Sequence, residues 1–286
     1  MRISDTSAHF VIRNVSFVNG TGDEEALGLD GVRNGRIEQV RIEGARSGIS
    51  SRSVGFGARD LVIDSVSIRD TRMGIEIQAP MNVSVLNSTF TNSSYEFLRL
   101  AYGGSAAVVG NHFANSVRSI SLWELDALEF QSNVVDNVSR LELEDIGSGN
   151  VSSNHFNLST NMYVQRSRGL NLTGNQFQGF PRAELSLEFS TGLRLASNTF
   201  DVGGIRILGQ GREHFSTHNI SSDNSVGAEP IVYRASCGNE THDADDFGQL
   251  FLVDCSYVRV QPGTVRDSAV AVTVAYSRDV RIAGLT

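Results

Sequence analysis

The chain has 286 residues, of which 40% are hydrophobic, and its 32 acidic and 24 basic residues give a formal net charge of −8. Because the phosphates of a nucleic acid require clustered positive charge, this balance gives no reason to expect a nucleic-acid partner. No apolar run approaches the roughly 18 residues of a membrane-spanning helix, so we also expect no membrane insertion.

One short motif recurs along the chain: a small residue, Asn, one further residue and an apolar residue. It ends at Phe113, Val135, Phe156, Phe177 and Phe200, so successive copies lie 22, 21, 21 and 23 positions apart. A looser version extends this series to Phe17, Ile42, Ile68 and Phe90 upstream, and to Ile220, Val265 and Leu285 downstream. A period in the low twenties along the whole chain predicts one domain of stacked coils over residues 1–286.

Residues 182–200 show how one coil is built. Residues 184–188 alternate apolar and polar side chains, as a half-buried strand does, and residues 190–192 form a turn. Residues 193–195 and 199–200 supply two more short strands before the next coil begins near residue 205. The sequence therefore predicts an all-β parallel β-helix of about 12 coils with three short strands per coil. The helical half of a leucine-rich repeat is missing.

The recurring asparagines have a structural explanation. An inward Asn at the same turn of every coil can hydrogen-bond both the turn backbone and the Asn of the neighbouring coil. We therefore expect one continuous ladder, formed by Asn111, Asn133, Asn154, Asn175 and Asn198.

The outward positions of the first strand in each coil form one long face. By alternation this face carries Glu76, Gln78, Phe97, Arg99, Trp123, Glu142, Glu144, Tyr163, Gln165, Glu188 and Arg206. Aromatic rings stack on sugars while acids and amides bond hydroxyl groups, so the pattern is typical of a glycan-binding surface. We assign ligand binding to Trp123, Glu142, Glu144, Tyr163, Gln165 and Glu188. A surface that is polar only because it faces water remains the alternative.

Two of these carboxylates are candidates for catalysis. Glu144 and Glu188 occupy similar strand positions two coils apart, roughly 10 Å, near the upper end of the spacing in inverting glycosidases. A polysaccharide hydrolase or lyase, including a viral tail-spike, is therefore the alternative to a non-catalytic module. The only Asp-Asp pair, Asp245 and Asp246, lies away from the face, which weighs against polygalacturonase-like chemistry.

We predict no metal site and no cofactor. His112 and His155 share a turn position but lie two coils apart, too far for one ion whose bonds are near 2 Å. The best local cluster is in residues 240–246, where an exposed acidic loop is the simpler interpretation.

Residues 237–248 look like a loop insertion, flanked by the two cysteines of the chain, Cys237 and Cys255. A disulfide between them would suit an extracellular setting, and two separate thiols are the alternative. Asn-X-Ser/Thr sequons suggest a glycoprotein, and they begin at Asn14, Asn19, Asn82, Asn87, Asn92, Asn137, Asn150, Asn157, Asn171, Asn219 and Asn239.

Strand-and-turn coils with an Asn ladder resemble the right-handed β-helices of the pectate-lyase-like superfamily. Residues 10–15 with 34–38, and residues 230–233 with 248–255, are similar to repeats of its NosD-like group of exported archaeal and bacterial proteins. This resemblance implies a right-handed β-helix at the cell surface or outside the cell, although no export signal precedes the first repeat. It identifies no reaction, because such folds serve as enzymes, spikes and scaffolds. End-to-end or side-by-side association is a further expectation.

Overall fold

The computed structural model describes residues 1–18, 25–52, 57–158, 160–179 and 183–286. They form about 12 turns of a right-handed parallel β-helix, which confirms the predicted all-β fold class. Each coil contributes strands to three parallel stacks, and each strand pairs with its equivalents in the coils before and after it.

The first coils have three separate strands each. Their strands are β1 (Arg2–Ser4), β2 (Phe10–Arg13), β3 (Ser16–Val18), β4 (Glu25–Asp30), β5 (Arg33–Glu38), β6 (Arg41–Glu43), β7 (Ser47–Ser51), β8 (Arg59–Asp64), β9 (Ser67–Arg69), β10 (Met73–Gln78), β11 (Met81–Leu86) and β12 (Thr89–Ser93).

The central coils differ because their strands continue through the corners. These are β13 (Glu96–Val109), β14 (His112–Gln131) and β15 (Val134–Glu144). The 20 residues of β14 take part in all three stacks. Separate strands then resume as β16 (Gly149–Ser152), β17 (His155–Asn157), β18 (Asn161–Gln165), β19 (Leu170–Thr173), β20 (Gln176–Phe177), β21 (Ala183–Glu188), β22 (Arg194–Ala196), β23 (Thr199–Phe200) and β24 (Gly203–Leu208).

A short helix, α1 (Glu213–Ser216), interrupts the next coil. After it come β25 (Asn219–Ile220), β26 (Ser225–Val226), β27 (Glu229–Ala235), β28 (Thr241–His242), the 3₁₀ turn η1 (Ala244–Asp246), β29 (Gln249–Val253), β30 (Arg259–Val260), β31 (Val272–Ala275) and β32 (Arg281–Ile282). We call β1–β26 the main stack and β27–β32 the C-terminal stack. That the two form one domain stays a prediction.

The five repeating asparagines stand in one buried column. Nδ2 of each of the first four donates to Oδ1 of the next Asn at 2.9–3.1 Å, and all five also donate to a backbone carbonyl of the preceding coil. Asn224 is a sixth member, because it accepts from Nδ2 of Asn198 at 2.8 Å. The ladder therefore satisfies amide groups that the buried corner would otherwise leave unpaired.

The small residue before each Asn has a backbone reason. Gly110 and Gly174 have φ values of 68° and 65°, and Ser132, Ser153 and Ser197 lie between 53° and 55°. This left-handed region is costly for bulky or branched side chains. The corner conformation therefore selects the first residue of the motif, while the ladder selects the second.

The apolar residue that ends the motif forms an inward column of its own, which is buried except at the partly buried Phe17. Residues at this position pair in register from coil to coil, as Phe17, Ile42, Ile68, Phe90, Phe113, Val135, Phe156, Phe177, Phe200 and Val226. The assignment of Ile220 to this column is wrong, because Ile220 pairs with Leu195 in the second stack. Helix α1 lengthens this coil, so Val226 comes 26 residues after Phe200.

The segment 237–248 is built into the C-terminal stack. Within it, β28 pairs in parallel with β30, and Ala244 and Phe247 are buried in a small core. Residues predicted to form an inserted loop therefore contribute a strand and two core side chains.

Candidate functional site

The first strands of seven successive coils place two columns of side chains on the outer face. The strands β10, β13, β14, β15, β18, β21 and β24 are in parallel register, with neighbours about 4.8 Å apart. The first column is Glu76, Arg99, Ser121, Glu142, Tyr163, Ser186 and Arg206. The second column is Gln78, Ala101, Trp123, Glu144, Gln165, Glu188 and Leu208. All six residues assigned to ligand binding therefore lie in two adjacent columns.

Phe97 does not lie on this face. Its side chain is 1% exposed, and its ring packs 6.3 Å from Phe90 and 5.9 Å from Phe113, measured between centroids. The expectation of an outward Phe97 is therefore wrong. Simple alternation fails at the start of β13, where both Glu96 and Phe97 are buried.

Trp123 is half-buried at the centre of the face. The guanidinium of Arg99 lies 5.2 Å from its ring centroid, which is within the range of a cation–π contact. Its Nε1 is buried and has no hydrogen-bond partner among the described residues. The indole is thus held by Arg99 on the side of the preceding coil.

Glu144 is paired with a neighbouring arginine. Arg166 forms an ion pair with Glu144 and another with Asp145, the latter at 2.8 Å. The hydrogen bonds that Arg166 donates to Asp145 and, to a smaller extent, to Glu144 raise the pKa of Arg166 above its ordinary value. The carboxylate of Glu144 therefore already forms an ion pair within the protein.

Glu188 is held by neutral partners. It accepts hydrogen bonds from Gln165 Nε2 and Ser186 Oγ, both at 3.0 Å. Gln165 occupies the position between Glu144 and Glu188 in the same column, so the two carboxylates are two strand spacings apart, roughly 10 Å. The structure thus brings both residues to one face, separated by an amide.

Glu142 and Tyr163 are neighbours in the first column. Glu142 forms an ion pair with Arg140 at 3.1 Å and accepts a hydrogen bond from Ser121 Oγ at 3.3 Å. Tyr163 is half-buried beside it. The face therefore offers aromatic edges among carboxylates, hydroxyls and amides.

Sequence reasoning missed a groove where the face meets a corner. Its lining includes Arg46, Arg52, Arg72 and Tyr95 together with Glu76 and Arg99, and its volume is about 270 Å³. The corner residues 46, 72 and 95 lie outside the alternating strand pattern, so only their recurrence just before each first strand could have signalled them.

The histidines are separated as expected from their spacing. His112 and His155 flank Val134 in register, with His112 Nε2 bonded to Asp136 at 2.8 Å and His155 Nδ1 to Gln176 at 3.0 Å. Among the described residues, no group of three or more His, Cys, Asp or Glu side chains is arranged to hold a metal ion.

The acidic segment near residue 240 is dispersed. Glu240 lies 3.1 Å from His242 Nε2 and 3.4 Å from Arg234, whereas Asp245 accepts from the backbone N–H of Thr264. Nearby, a disulfide joins Cys237 to Cys255, which are 18 positions apart in the sequence. It connects the corner after β27 to the corner after β29.

Many sequon asparagines sit at exposed corners. Asn82, Asn87, Asn92 and Asn137 have φ values between 46° and 58°. Asn tolerates this left-handed region better than most residues, so corner geometry itself favours Asn here. Asn19 lies outside the described residues.

The sequence model of right-handed β-helix regions matches residues 56–200, just over half of the chain. The chain belongs to the right-handed β-helix family. No curated protein matches the sequence of this chain significantly. In the part of the chain that the structure describes, no helix is long and apolar enough to cross a membrane.

Two solved structures resemble this right-handed β-helix. PfbA, a surface adhesin of Streptococcus pneumoniae, has a TM-score of 0.45 and 13% identity, over 98% of this chain and 62% of its own. The tailspike protein of E. coli bacteriophage HK620 has a TM-score of 0.42 and 11% identity, over 98% and 60%. The chain thus spans about three fifths of the length of both.

Proposed function

We propose that this β-helix is an extracellular or cell-surface module that binds carbohydrate along its first-strand face without catalysing a reaction. The observation that carries the proposal is the pair of adjacent outward columns. They place Trp123 and Tyr163 among Glu142, Gln165 and Glu188 at strand spacing. Sugars present both apolar ring faces and hydroxyl groups, and this mixture suits both.

The non-catalytic part of the proposal rests on the partners of the two candidate carboxylates. Glu144 is neutralised by Arg166, and Glu188 is hydrogen-bonded to Gln165 and Ser186. A carboxylate already bonded to partners within the protein is less free to exchange a proton with a bound sugar or to attack it.

The extracellular part of the proposal is supported by the disulfide between Cys237 and Cys255, because disulfides persist mainly in oxidising compartments. Membership of the narrower NosD-like group, export and glycosylation belong to the same proposal. Intact-mass measurement on protein from the native host tests glycosylation, and a mass equal to the bare chain would remove it.

A glycan array followed by calorimetry tests the carbohydrate function. We expect binding to at least one class of glycan, and a loss of at least tenfold in affinity for Trp123→Ala and for Gln165→Ala. Asn171→Ala is the matched control, because Asn171 is exposed on the second-strand stack, away from the face. Failure of every array member to bind, or equal binding by Trp123→Ala, would contradict the proposal.

A polysaccharide hydrolase or lyase is the second candidate. The observation in its favour is the spacing of roughly 10 Å between Glu144 and Glu188, near the upper limit for an inverting glycosidase. Release of new reducing ends by the wild type, abolished in Glu144→Gln and in Glu188→Gln, would favour this candidate over the non-catalytic one.

A further inference from the structure

The groove lined by Arg46, Arg52, Arg72, Tyr95 and Arg99, which we call the arginine groove, lies next to the proposed carbohydrate face. It forms because the corners of three successive coils align, with Ser47, Met73 and Glu96 in register. Its volume of about 270 Å³ is close to the lower end of small-molecule sites, ~300 Å³. It can therefore hold one sugar unit but not an extended chain.

The acidic groups of the arginine groove lie beneath its cations. Glu76 forms ion pairs with Arg52 at 2.8 Å and Arg99 at 3.7 Å, and Glu96 pairs with Arg99 at 2.9 Å. The Glu76 and Glu96 side chains are only 11% and 6% exposed, whereas that of Arg52 is 51% exposed. Guanidinium groups, rather than carboxylates, are therefore presented to solvent.

The formal charge of the groove opposes that of the whole chain. Counting only Arg52, Arg72 and Arg99 against Glu76 and Glu96 leaves a formal charge of +1. The chain as a whole carries −8. A local positive potential on an acidic protein attracts anions to that place.

Tyr95 holds one cation of the groove, Arg72, and one cation outside its lining, Arg118. The guanidinium of Arg72 lies 5.3 Å from the Tyr95 ring centroid and that of Arg118 lies 5.4 Å from it. Cation–π contacts of this kind reduce the number of conformations open to a long side chain. Arg72 is thus partly preorganised at the mouth of the groove.

The groove is also continuous with the carbohydrate face. Arg99 lines the groove and packs over Trp123, the residue at the centre of that face. A glycan lying along the columns would reach the groove with its next unit, since adjacent coils are only about 4.8 Å apart.

We propose that the arginine groove binds the carboxylate or sulfate group of an acidic sugar, so that the glycan recognised by the face is anionic. This inference rests on the proposed carbohydrate function. Guanidinium groups match such groups because their planar N–H donors can bond two oxygens at once. Arg52 and Arg72 supply the contacts nearest to solvent, and Arg99 links the groove to Trp123.

Calorimetry with three oligosaccharides of equal length tests this inference: a polyuronate, a sulfated oligomer, and the polyuronate after reduction of its carboxyl groups to alcohols. We expect one of the two acidic oligomers to bind at least tenfold more tightly than the reduced one. Whether the polyuronate or the sulfated oligomer binds more tightly identifies the acidic group. Arg72→Gln and Arg52→Gln should each lower the affinity for the acidic oligomer about tenfold and change the affinity for the neutral one less than twofold.

Arg41→Gln is the matched control, since Arg41 pairs with Glu43 at 2.7 Å on the third-strand stack. Equal affinity for neutral and acidic oligomers, with a loss on Trp123→Ala, would overturn the inference and leave the carbohydrate function standing. If both groove variants bind an acidic oligomer as tightly as the wild type does, the inference is also overturned. Absence of binding by all three oligomers and by every array member would overturn both. If a groove variant unfolds, inorganic sulfate is tested as a competitor of the acidic oligomer for the wild-type protein. Absence of competition would overturn the inference.

Discussion

The main stack and the C-terminal stack differ in how their corners are stabilised. In the main stack, corners from Asn111 to Asn224 are satisfied by a continuous amide ladder around a large hydrophobic core. The C-terminal stack has a second core of seven buried residues. The corner after its first strands carries a disulfide, and there Ser277 Oγ accepts from the backbone N–H of Cys255 at 2.9 Å, as Ser190 Oγ accepts from Ser167 N–H at 3.0 Å in the same corner of the main stack. A short stack with a small core thus relies on a covalent link where a long stack relies on repetition.

Strand β29 is shared by both regions. Phe251 faces the main core, whereas Leu250 and Leu252 face the second core, so all five residues of the strand are buried. At the junction, the side-chain amide of Gln249 bonds both the N–H and the C=O of Ile205, at 3.0 Å and 2.6 Å. This amide replaces the peptide group that a further paired strand would supply to β24.

The largest expected effect comes from breaking the ladder in its middle. Asn154→Ala would remove the donor to Phe130 C=O and the acceptor for the backbone and side chain of Asn133. Leaving several buried groups unpaired should cost about 4 kcal/mol of the free energy of unfolding. Guanidinium unfolding measures this loss. Asn150→Ala, at an exposed position of β16 in the same coil, should cost under ~0.5 kcal/mol, and equal losses would contradict the role of the ladder.

The junction provides the second test. Gln249→Leu keeps the volume but leaves the N–H and C=O of Ile205 without partners, which should cost about 3 kcal/mol. Hydrogen exchange followed by mass spectrometry should show faster exchange at residues 203–208. Exposed Gln261→Leu is the control. Unchanged exchange in Gln249→Leu would mean that the amide does not replace a strand.

Removal of the disulfide sharpens the comparison between the stacks. Replacing both Cys237 and Cys255 by Ala should cost up to about 3 kcal/mol, because the loop closed by the bond no longer restricts the unfolded chain. The loss should appear as faster hydrogen exchange in β27–β32, with β10–β21 unaffected. Equal changes in both stacks would show that they unfold as one unit.

The smallest effect concerns pH. Burial lowers the pKa of His218 from 6.5 to about 4, and its Nε2 donates to the carbonyl of His214 at 2.8 Å. Because the unfolded state binds the proton more readily, stability is full above pH 6.5 and falls as the pH drops towards 4. The loss should reach roughly 2 kcal/mol at pH 5. His218→Gln should remove this part of the pH dependence; an unchanged profile would contradict it.

The inner columns could be predicted from sequence because burial and hydrogen bonding restrict them to few residue types. Asn111 through Asn198 and the aligned phenylalanines recur with nearly constant spacing. Asn224 and Val226 were not predicted, because helix α1 lengthens their coil to 26 residues. Ile220 lies at the expected interval and was assigned to the column instead of Val226.

The outer face was harder to predict. Alternation placed Trp123, Glu144 and Glu188 in one column, but it failed for Phe97, where a corner buries two consecutive residues. The arginine groove was not predicted either, because Arg46 and Arg72 come from corners of different coils, where no alternating pattern applies. Which arginine pairs with which carboxylate depends on side-chain conformations that no period in the sequence records.

The ladder also has a consequence for how the chain folds. Its side-chain bonds join residues only 21 to 26 positions apart, from Asn111 to Asn224. Contacts about 22 residues apart in a chain of this length correspond to a relative contact order of ~0.08, as low as that of helical bundles. Each newly synthesised coil can therefore add to the coil before it while the remainder of the polypeptide is still being made.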